Sequence, residues 1–453
     1  MKRKFALRFT TTQIILLSFL LTIFIGSLIL ALPISSATGE AVPYIDALFT
    51  ATTSVCVTGL VTVPTYSAWS PFAQAVILIL IQIGGLGIVT IMTGVLLSFH
   101  KRIGMGGRYL LQDAFNLNSM SGIIRFIRKV LIGTFLVEGM GALLYMTVLV
   151  PEYGPKGVWM SVFSAISAFC NAGMDVIGPD SLYGYVTNST VLFVTSMLIV
   201  LGGIGFVVWW DVLAVLKDIR KQRWKCFRKL TLHSKIALST TAVLLLTGTA
   251  AFLVFEYDNP LTIGNLSFCD KVQASMFQSV TTRTAGFAAV PQENLTNASA
   301  IVSLFLMFVG GSPVGTAGGI KTVTIAVLMI SAFATIRNKE EAEIFQRRIA
   351  KQAIGKAVAV TSMSFIIMFT STVLLAAVTN ADALDIVYET VSATATVGLT
   401  RNLTSGLNLW GKLIIICTMY LGRVGPISLV IAFNTKRESK NIIKNPMEEI
   451  SVG

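Results

Sequence analysis

The sequence predicts an all-α integral membrane fold made of four pseudo-repeats, each a helix, a re-entrant loop and a second helix. Three observations predict it. Of 453 residues, 54% are hydrophobic and only 13% charged, whereas soluble domains carry about a quarter charged residues; mean hydropathy is +0.76. Eight apolar runs are each long enough to cross a hydrocarbon core of about 30 Å. Finally, Gly59, Gly173, Gly286 and Gly398 close four similar short segments at separations of 114, 113 and 112 residues, a fixed period that marks an internal repeat.

The runs are 14–32, 72–99, 130–150, 190–215, 236–254, 300–333, 354–379 and 410–433. The first follows Lys2, Arg3, Lys4 and Arg8, as a signal peptide would, but its apolar part exceeds an h-region of about 7–15 residues, so it reads as a retained span. Eight spans place both termini on one side. On that topology one side holds 30 basic and 10 acidic residues and the other 5 and 12, which orients the termini to the cytoplasm. The repeats then cover 9–100, 126–217, 235–335 and 353–434, with a cytoplasmic tail at 435–453. Segment 217–235 is the densest basic loop, read either as a topology determinant or as a docking surface.

Between paired spans lie 44–60, 158–174, 270–287 and 383–399, rich in Ser, Thr and Ala. Their helical parts, about 10–12 residues or 15–18 Å, are too short to cross, so they enter and leave on one side. Irregular backbone at that depth needs protein or a water-filled cavity around it. Each ends in a tripeptide: Val57-Thr58-Gly59, Asn171-Ala172-Gly173, Thr284-Ala285-Gly286 and Thr396-Val397-Gly398. A glycine free to take positive φ lets such a turn aim successive carbonyls at an axis, and a ring of carbonyls replaces the hydration shell of a monovalent cation. The four segments therefore read as pore loops around a central ion pathway, with the negative ends of their helix dipoles turned toward it. Asp46, Asp270 and Asp385 suit the opposite ends.

The stretches ALFTATTSVCVTGL, SAISAFCNAGM, QSVTTRTAGF, ETVSATATVGLT, IQIGGLGIVT, VLGGIGFVV, FVGGSPVGTAGGIKT and MYLGRVGP, in this order over nearly the whole chain, resemble the Trk/Ktr/HKT superfamily of potassium transporters, and most closely its Ktr-type membrane subunit. The resemblance implies potassium uptake across a bacterial plasma membrane, with potassium held at the filter carbonyls of the four tripeptides. It also implies a homodimer with one pore per subunit and a cytosolic nucleotide-binding regulatory ring. Sodium- or proton-coupled symport within the same superfamily is the alternative, with Na+ as coupling or activating ion. A multi-span receptor or enzyme is the reading from another class.

The family also carries an intramembrane gating loop in the second span of repeat three, which matches Gly310-Gly311-Ser312-Pro313-Val314-Gly315-Thr316-Ala317-Gly318-Gly319 here; Pro313 departs from the family pattern. Read from residues alone, this glycine-rich stretch breaks its helix, either as a gate below the pore loops or as a small-residue packing kink. Lys321 follows it. Arg423 lies within the last apolar run, where a charge is expensive; it is either a fixed positive charge below the filter or a snorkelling residue. Glu138 is read as its partner, as a sodium-site ligand or as a neutral carboxyl, Arg283 as a strut to Glu389, and Asp211 as an interfacial anchor. Cys56, Cys170, Cys226, Cys269 and Cys417 lack CxxC spacing, and His100 and His233 are the only histidines, so no metal cluster is expected. No nucleophile motif or phosphate-cradling loop occurs. The expectation is no enzyme, no catalytic residues, no cofactor in this chain and no nucleic-acid partner. The membrane lipid and a ring docked on 217–235, 337–351 and 436–444 are the expected partners.

Overall fold

The computed structural model describes residues 10–98, 105–114, 122–217 and 227–425. Four long outer helices, Thr11–Leu30, Ile123–Tyr153, Leu232–Glu256 and Lys351–Val378, are long and apolar enough to cross a membrane. The first starts on a capping box in which Thr10 and Gln13 exchange side-chain and backbone bonds, satisfying donors that hydrocarbon would leave bare. These helices present Leu21, Phe24, Leu246, Val254 and Phe369 outward. Such apolar exposure suits lipid, not water.

Each outer helix is followed by a short helix: Tyr44–Cys56, Pro155–Cys170, Phe268–Thr281 and Ala383–Ala395. These are the buried parts of the molecule despite their polarity. Thr52, Thr53, Ser54, Ser161, Ser164, Ser167, Ser279, Thr281, Thr390 and Ser392 are at most 1% exposed. Several hydroxyls bond the carbonyl four residues back, as Ser54 Oγ does to Thr50 O at 2.6 Å and Ser161 Oγ to Gly157 O at 2.6 Å, which satisfies these small polar residues inside the protein, whereas the hydroxyls of Ser164 and Ser275 have no protein partner. At their outer ends Asp46 pairs with Lys412 of repeat four at 2.6 Å and Asp385 with Arg401 at 2.7 Å. Asp270 accepts from Ser267 Oγ at 2.6 Å. The acids sit at helix N-termini, where the dipole favours them.

The second spans of repeats one, two and three differ from the continuous helices that their apolar runs suggest. Pro71–Leu86 ends at Gly87 (φ +83°) and Ile88–Ser98 departs at 101°. Ser189–Ile204 ends at Gly205 (φ +95°) and Phe206–Leu216 departs at 99°. Asn297–Phe308 and Thr322–Ile336 are separated by an extended loop, and Leu409–Val424 stops at Gly425 (φ +86°). A left-handed glycine ends a helix cheaply; because the residues on both sides are equally apolar, hydropathy reads straight through the break. Residues 426–433 of the last run, His100, residues 218–226 of the basic loop with Cys226 among them, and the tail at 435–453 lie outside the described residues.

On the side of the expected basic loops, Glu343–Ile344 and Arg347–Arg348 pair antiparallel between repeats three and four. Asp211 accepts from both the amide (2.9 Å) and the hydroxyl (2.8 Å) of Thr231, and so caps the helix that begins repeat three.

Candidate functional site

The four glycine tripeptides close a ring. A Cβ placed on Gly59 would stand 2.5 Å from Ala172 O, one on Gly173 2.5 Å from Ala285 O, one on Gly286 2.5 Å from Val397 O, and one on Gly398 would collide with Thr58 O. Each glycine thus lies against the carbonyl of the middle residue of the next repeat's tripeptide, from repeat one through four and back to one. Only a residue without a side chain permits this approach.

Backbone geometry repeats around the ring. Val57, Asn171, Thr284 and Thr396 have φ of 56°, 59°, 65° and 52°, and the glycines 95°, 65°, 84° and 96°. Positive φ is costly for a β-branched residue, so Val57, Thr284 and Thr396 need support. Thr53 O accepts from Thr58 N and its hydroxyl from Gly59 N, both at 2.9 Å. Ser167 O accepts from Ala172 N at 2.8 Å and its hydroxyl from Met174 N at 3.1 Å. Ser392 O accepts from Val397 N at 2.8 Å and its hydroxyl from Gly398 N at 3.0 Å. In repeat three Thr281 O accepts from Ala285 N at 3.0 Å while its hydroxyl donates to Phe287 O at 2.6 Å. Sequence reasoning passed over these four hydroxyl residues. The signal was present in three of them, a Ser or Thr six residues before the glycine. Ser392→Ala leaves the buried Gly398 N–H without its acceptor, at a cost of about 1–3 kcal/mol. The expected result is folded protein with weakened discrimination between potassium and sodium, read as the ratio of the two ion fluxes in proteoliposomes. An unchanged ratio would remove Ser392 from the site.

Glycines also seat the ring from behind. A Cβ on Gly84, Gly202 or Gly422 would strike Val55 O, Phe169 O or Thr394 O, in each case the carbonyl two residues before the tripeptide. Repeat three does this with a side chain instead: Arg283 Nη2 donates to Gly310 O at 3.2 Å. The pairing of Arg283 with Glu389 is therefore corrected. Glu389 accepts from Thr400 Oγ1 at 2.6 Å and Thr404 Oγ1 at 2.5 Å within its own repeat.

The loop between Asn297–Phe308 and Thr322–Ile336 lies at the short-helix side of the ring. Its neck is zipped by Gly310 N to Ile320 O and Thr322 N to Gly311 O, both 2.9 Å, and by Ser312 Oγ with Thr322 Oγ1 at 2.8 Å. Its body is bonded to repeat two: Ser312 N to Gly203 O at 2.7 Å, Thr316 N to Gly202 O at 3.1 Å, Phe206 N to Val314 O at 3.0 Å, and Thr316 Oγ1 to Phe169 O at 2.9 Å. At its far side Gly318 packs on Thr396 Oγ1 and Ala395 O of repeat four, with no room for a Cβ. Lys321 Nζ donates back to Ala317 O at 2.6 Å. Pro313 sits where Gly205 gives room for its carbonyl.

Arg423 joins three repeats. Nη1 donates to Thr316 O of the loop at 2.7 Å and Nη2 to Gly84 O of repeat one at 2.5 Å. Among the described residues no carboxylate bonds it. Glu138 is held elsewhere, by Gln82 Nε2 at 3.1 and 3.2 Å, with Cys170 Sγ at 3.9 Å; the pairing of Glu138 with Arg423 is thus corrected. An amide meets the carboxyl because Gln82 and Glu138 face each other across the first two repeats, whereas Arg423 is turned to the bend glycines. Among the described residues Arg423 bonds only main-chain carbonyls, so burial at this level is tolerated by carbonyl dipoles, not by a counter-charge.

A family model described as cation transport protein, TrkH, matches residues 2–445. The chain belongs to the TrkH cation transport family. Within that family it is 38% identical to the potassium/sodium uptake protein NtpJ of Enterococcus hirae, over 100% of this chain and 99% of that protein. It is 41% identical to the Ktr system potassium uptake protein B of Bacillus subtilis, over 98% and 97%. The TrkH fold is shared with the potassium transporter TrkH from Vibrio parahaemolyticus, at a TM-score of 0.71 and 16% identity over 96% of this chain and 87% of that one.

Proposed function

We propose that this chain is the membrane subunit of a potassium uptake system, passing potassium through the four-loop ring and gated by Gly310–Gly319. The observation that carries the reading is the closed ring itself, in which each glycine backs the carbonyl of the next repeat. It is a carbonyl-built site suited to a monovalent cation. Buried hydroxyls of Thr58, Thr284 and Thr396 without a protein partner fit a pathway that also carries water and ions. The names of the relatives supply the ion: potassium in both, with sodium beside it in one. The loop, clasped by Arg423 at Thr316 O and bonded to Gly202 and Gly203 of repeat two, serves as the gate.

The protein works in the plasma membrane as a multi-pass subunit with cytoplasmic termini, pairs with a second copy, and takes its regulation from a cytosolic nucleotide-binding ring. The relative named as part of a Ktr system supports a partner of this kind. The ring docks on the basic face, where Arg347 and Arg348 stand exposed on the hairpin. Neutralising Arg347 and Arg348 together is expected to lower co-purification of the regulatory ring by several-fold at moderate salt, since exposed charge pairs are individually weak but additive on approach. Ring binding that persists with these and the other basic segments neutralised would place the docking face elsewhere. The function is tested by potassium flux into proteoliposomes with and without imposed sodium and proton gradients. Flux driven by the potassium gradient alone supports a gated pathway; flux that demands a sodium or proton gradient makes the protein a symporter.

A further inference from the structure

We propose that Gln278, Gln292 and Tyr388 are positioning residues for ion selection: together they form a neutral polar clamp that fixes the spacing of the third and fourth glycine loops. Gln278 lies on the short helix of repeat three and Tyr388 on that of repeat four. Gln292 belongs to the turn Gln292–Asn294 that follows the third loop. All three are at most 3% exposed. The two glutamine amides pair reciprocally: Gln278 Nε2 donates to Gln292 Oε1 at 2.6 Å, and Gln292 Nε2 to Gln278 Oε1 at 3.2 Å. Gln292 Nε2 also donates to Val290 O at 2.7 Å. A carbonyl can only accept, so Val290 fixes which way the amide faces and leaves Oε1 to receive the Tyr388 hydroxyl at 3.1 Å. The main chain of Gln292 is held from repeat four as well. Its carbonyl accepts from Arg401 Nη1 at 3.0 Å, while Arg401 Nε donates to Asp385 Oδ1 at 2.7 Å.

The clamp sits one helical turn behind the groups that shape the ring. Gln278 comes three residues before Thr281, which holds Ala285 N and Phe287 O. Tyr388 comes four residues before Ser392, which holds Val397 N and Gly398 N. Between those two anchors Gly286 meets Val397 O, with no room for a Cβ. The Tyr388 ring shares an apolar cluster with Val391, Ala395 and Val397, so its body packs on the fourth loop while its hydroxyl reaches repeat three. Apolar packing alone tolerates small slips between helices. A buried polar network that is satisfied at every member fixes distance and direction, because a slip leaves a group unpaired at low dielectric. Carbonyl cages discriminate between ions through the size and dipole arrangement of the cavity, and both follow the spacing of the helices that carry it. None of the three residues belongs to a tripeptide, so they act through the loops they hold.

The inference rests on the ring being the ion pathway. Potassium and sodium fluxes in proteoliposomes are measured for wild type, Tyr388→Phe, Gln292→Met, their double variant and Gly398→Ala, together with the thermal unfolding of each. Tyr388→Phe keeps the packed ring and removes one hydrogen bond. Its potassium over sodium ratio should fall by roughly two- to tenfold, the range that the net worth of one hydrogen bond spans. Gln292→Met, close in volume, removes every side-chain bond of the clamp, and the ratio should fall further. Since Tyr388 acts through Gln292, adding Tyr388→Phe to Gln292→Met should change the ratio little, whereas independent sites would add. A wild-type ratio in either single variant, even with a lowered unfolding temperature, makes the network structural only and overturns the inference. Additive effects in the double variant overturn it too, because Tyr388 would then act without Gln292. If Gln292→Met does not fold, Tyr388→Phe decides alone. Gly398→Ala separates the two failures. If its ratio is altered while those of the clamp variants are not, the clamp alone fails; if its ratio is unaltered, the reading of the ring fails and the inference goes with it.

Discussion

Gly398→Ala is expected to abolish most of the preference for potassium over sodium while leaving the membrane-inserted fold intact. Its φ is 96°, a region where a side chain costs of order 1–3 kcal/mol, and the new methyl collides with the carbonyl of Thr58. That carbonyl cannot retreat freely, because Thr58 N is bonded to Thr53 O and Gly59 N to Thr53 Oγ1. The strain is therefore relieved by turning the carbonyl off its position. Since 1.4 kcal/mol is tenfold, discrimination should drop by roughly ten- to a hundredfold. Gly59→Ser, with φ 95° and Ala172 O at 2.5 Å from the Cβ, should act in the same direction. The measurement is the ratio of potassium to sodium flux in proteoliposomes. Unchanged ratios in both variants would show that the ring is not what selects.

Removing residues 315–318 should raise potassium flux while selectivity is kept. The deletion takes out Thr316, whose carbonyl receives Arg423 and whose hydroxyl bonds Phe169 O, and Gly318, which packs on Thr396. Hydrogen bonds from a charged group contribute about 1.5–3 kcal/mol each, so loss of the Arg423 contact alone shifts a closed-to-open ratio by roughly tenfold or more. The loop is a segment of low local stability by construction: five glycines in ten residues, each unfavourable to helix by about 0.8–1 kcal/mol, held by a handful of bonds to repeats two and four. Arg423→Met removes the same clasp without shortening the chain and should also raise flux. A folded deletion variant with wild-type flux would make the loop a packing break only.

Much of this protein is legible in its residues. Hydropathy and length dictate the outer helices, because hydrocarbon leaves a backbone no alternative to internal hydrogen bonding. The 112–114-residue period of Gly59, Gly173, Gly286 and Gly398 is a covalent fact, and the short Ser/Thr-rich helices before them are too short to cross whatever surrounds them. Gly310–Gly319 announces a break by composition. Tertiary structure alone decided which groups meet. Glycine clusters at 83–87 and 202–205 show that the second spans can bend, but the turns of 101° and 99° arise only when Gly84 and Gly202 must seat against Val55 O and Phe169 O. Arg283, Glu138, Glu389 and Arg423 are ionisable residues in apolar surroundings for which charge complementarity suggests pairs with one another. The structure gave three of them neutral partners and Arg283 a lone carbonyl, because at this depth the nearest dipole, once fixed by packing, outweighs a distant counter-charge that would have to move to meet it. Sequence determines what each repeat can form by itself; the ring and the clasp of Arg423 exist only between repeats, where pairs a hundred or more residues apart are chosen by the packing of the whole.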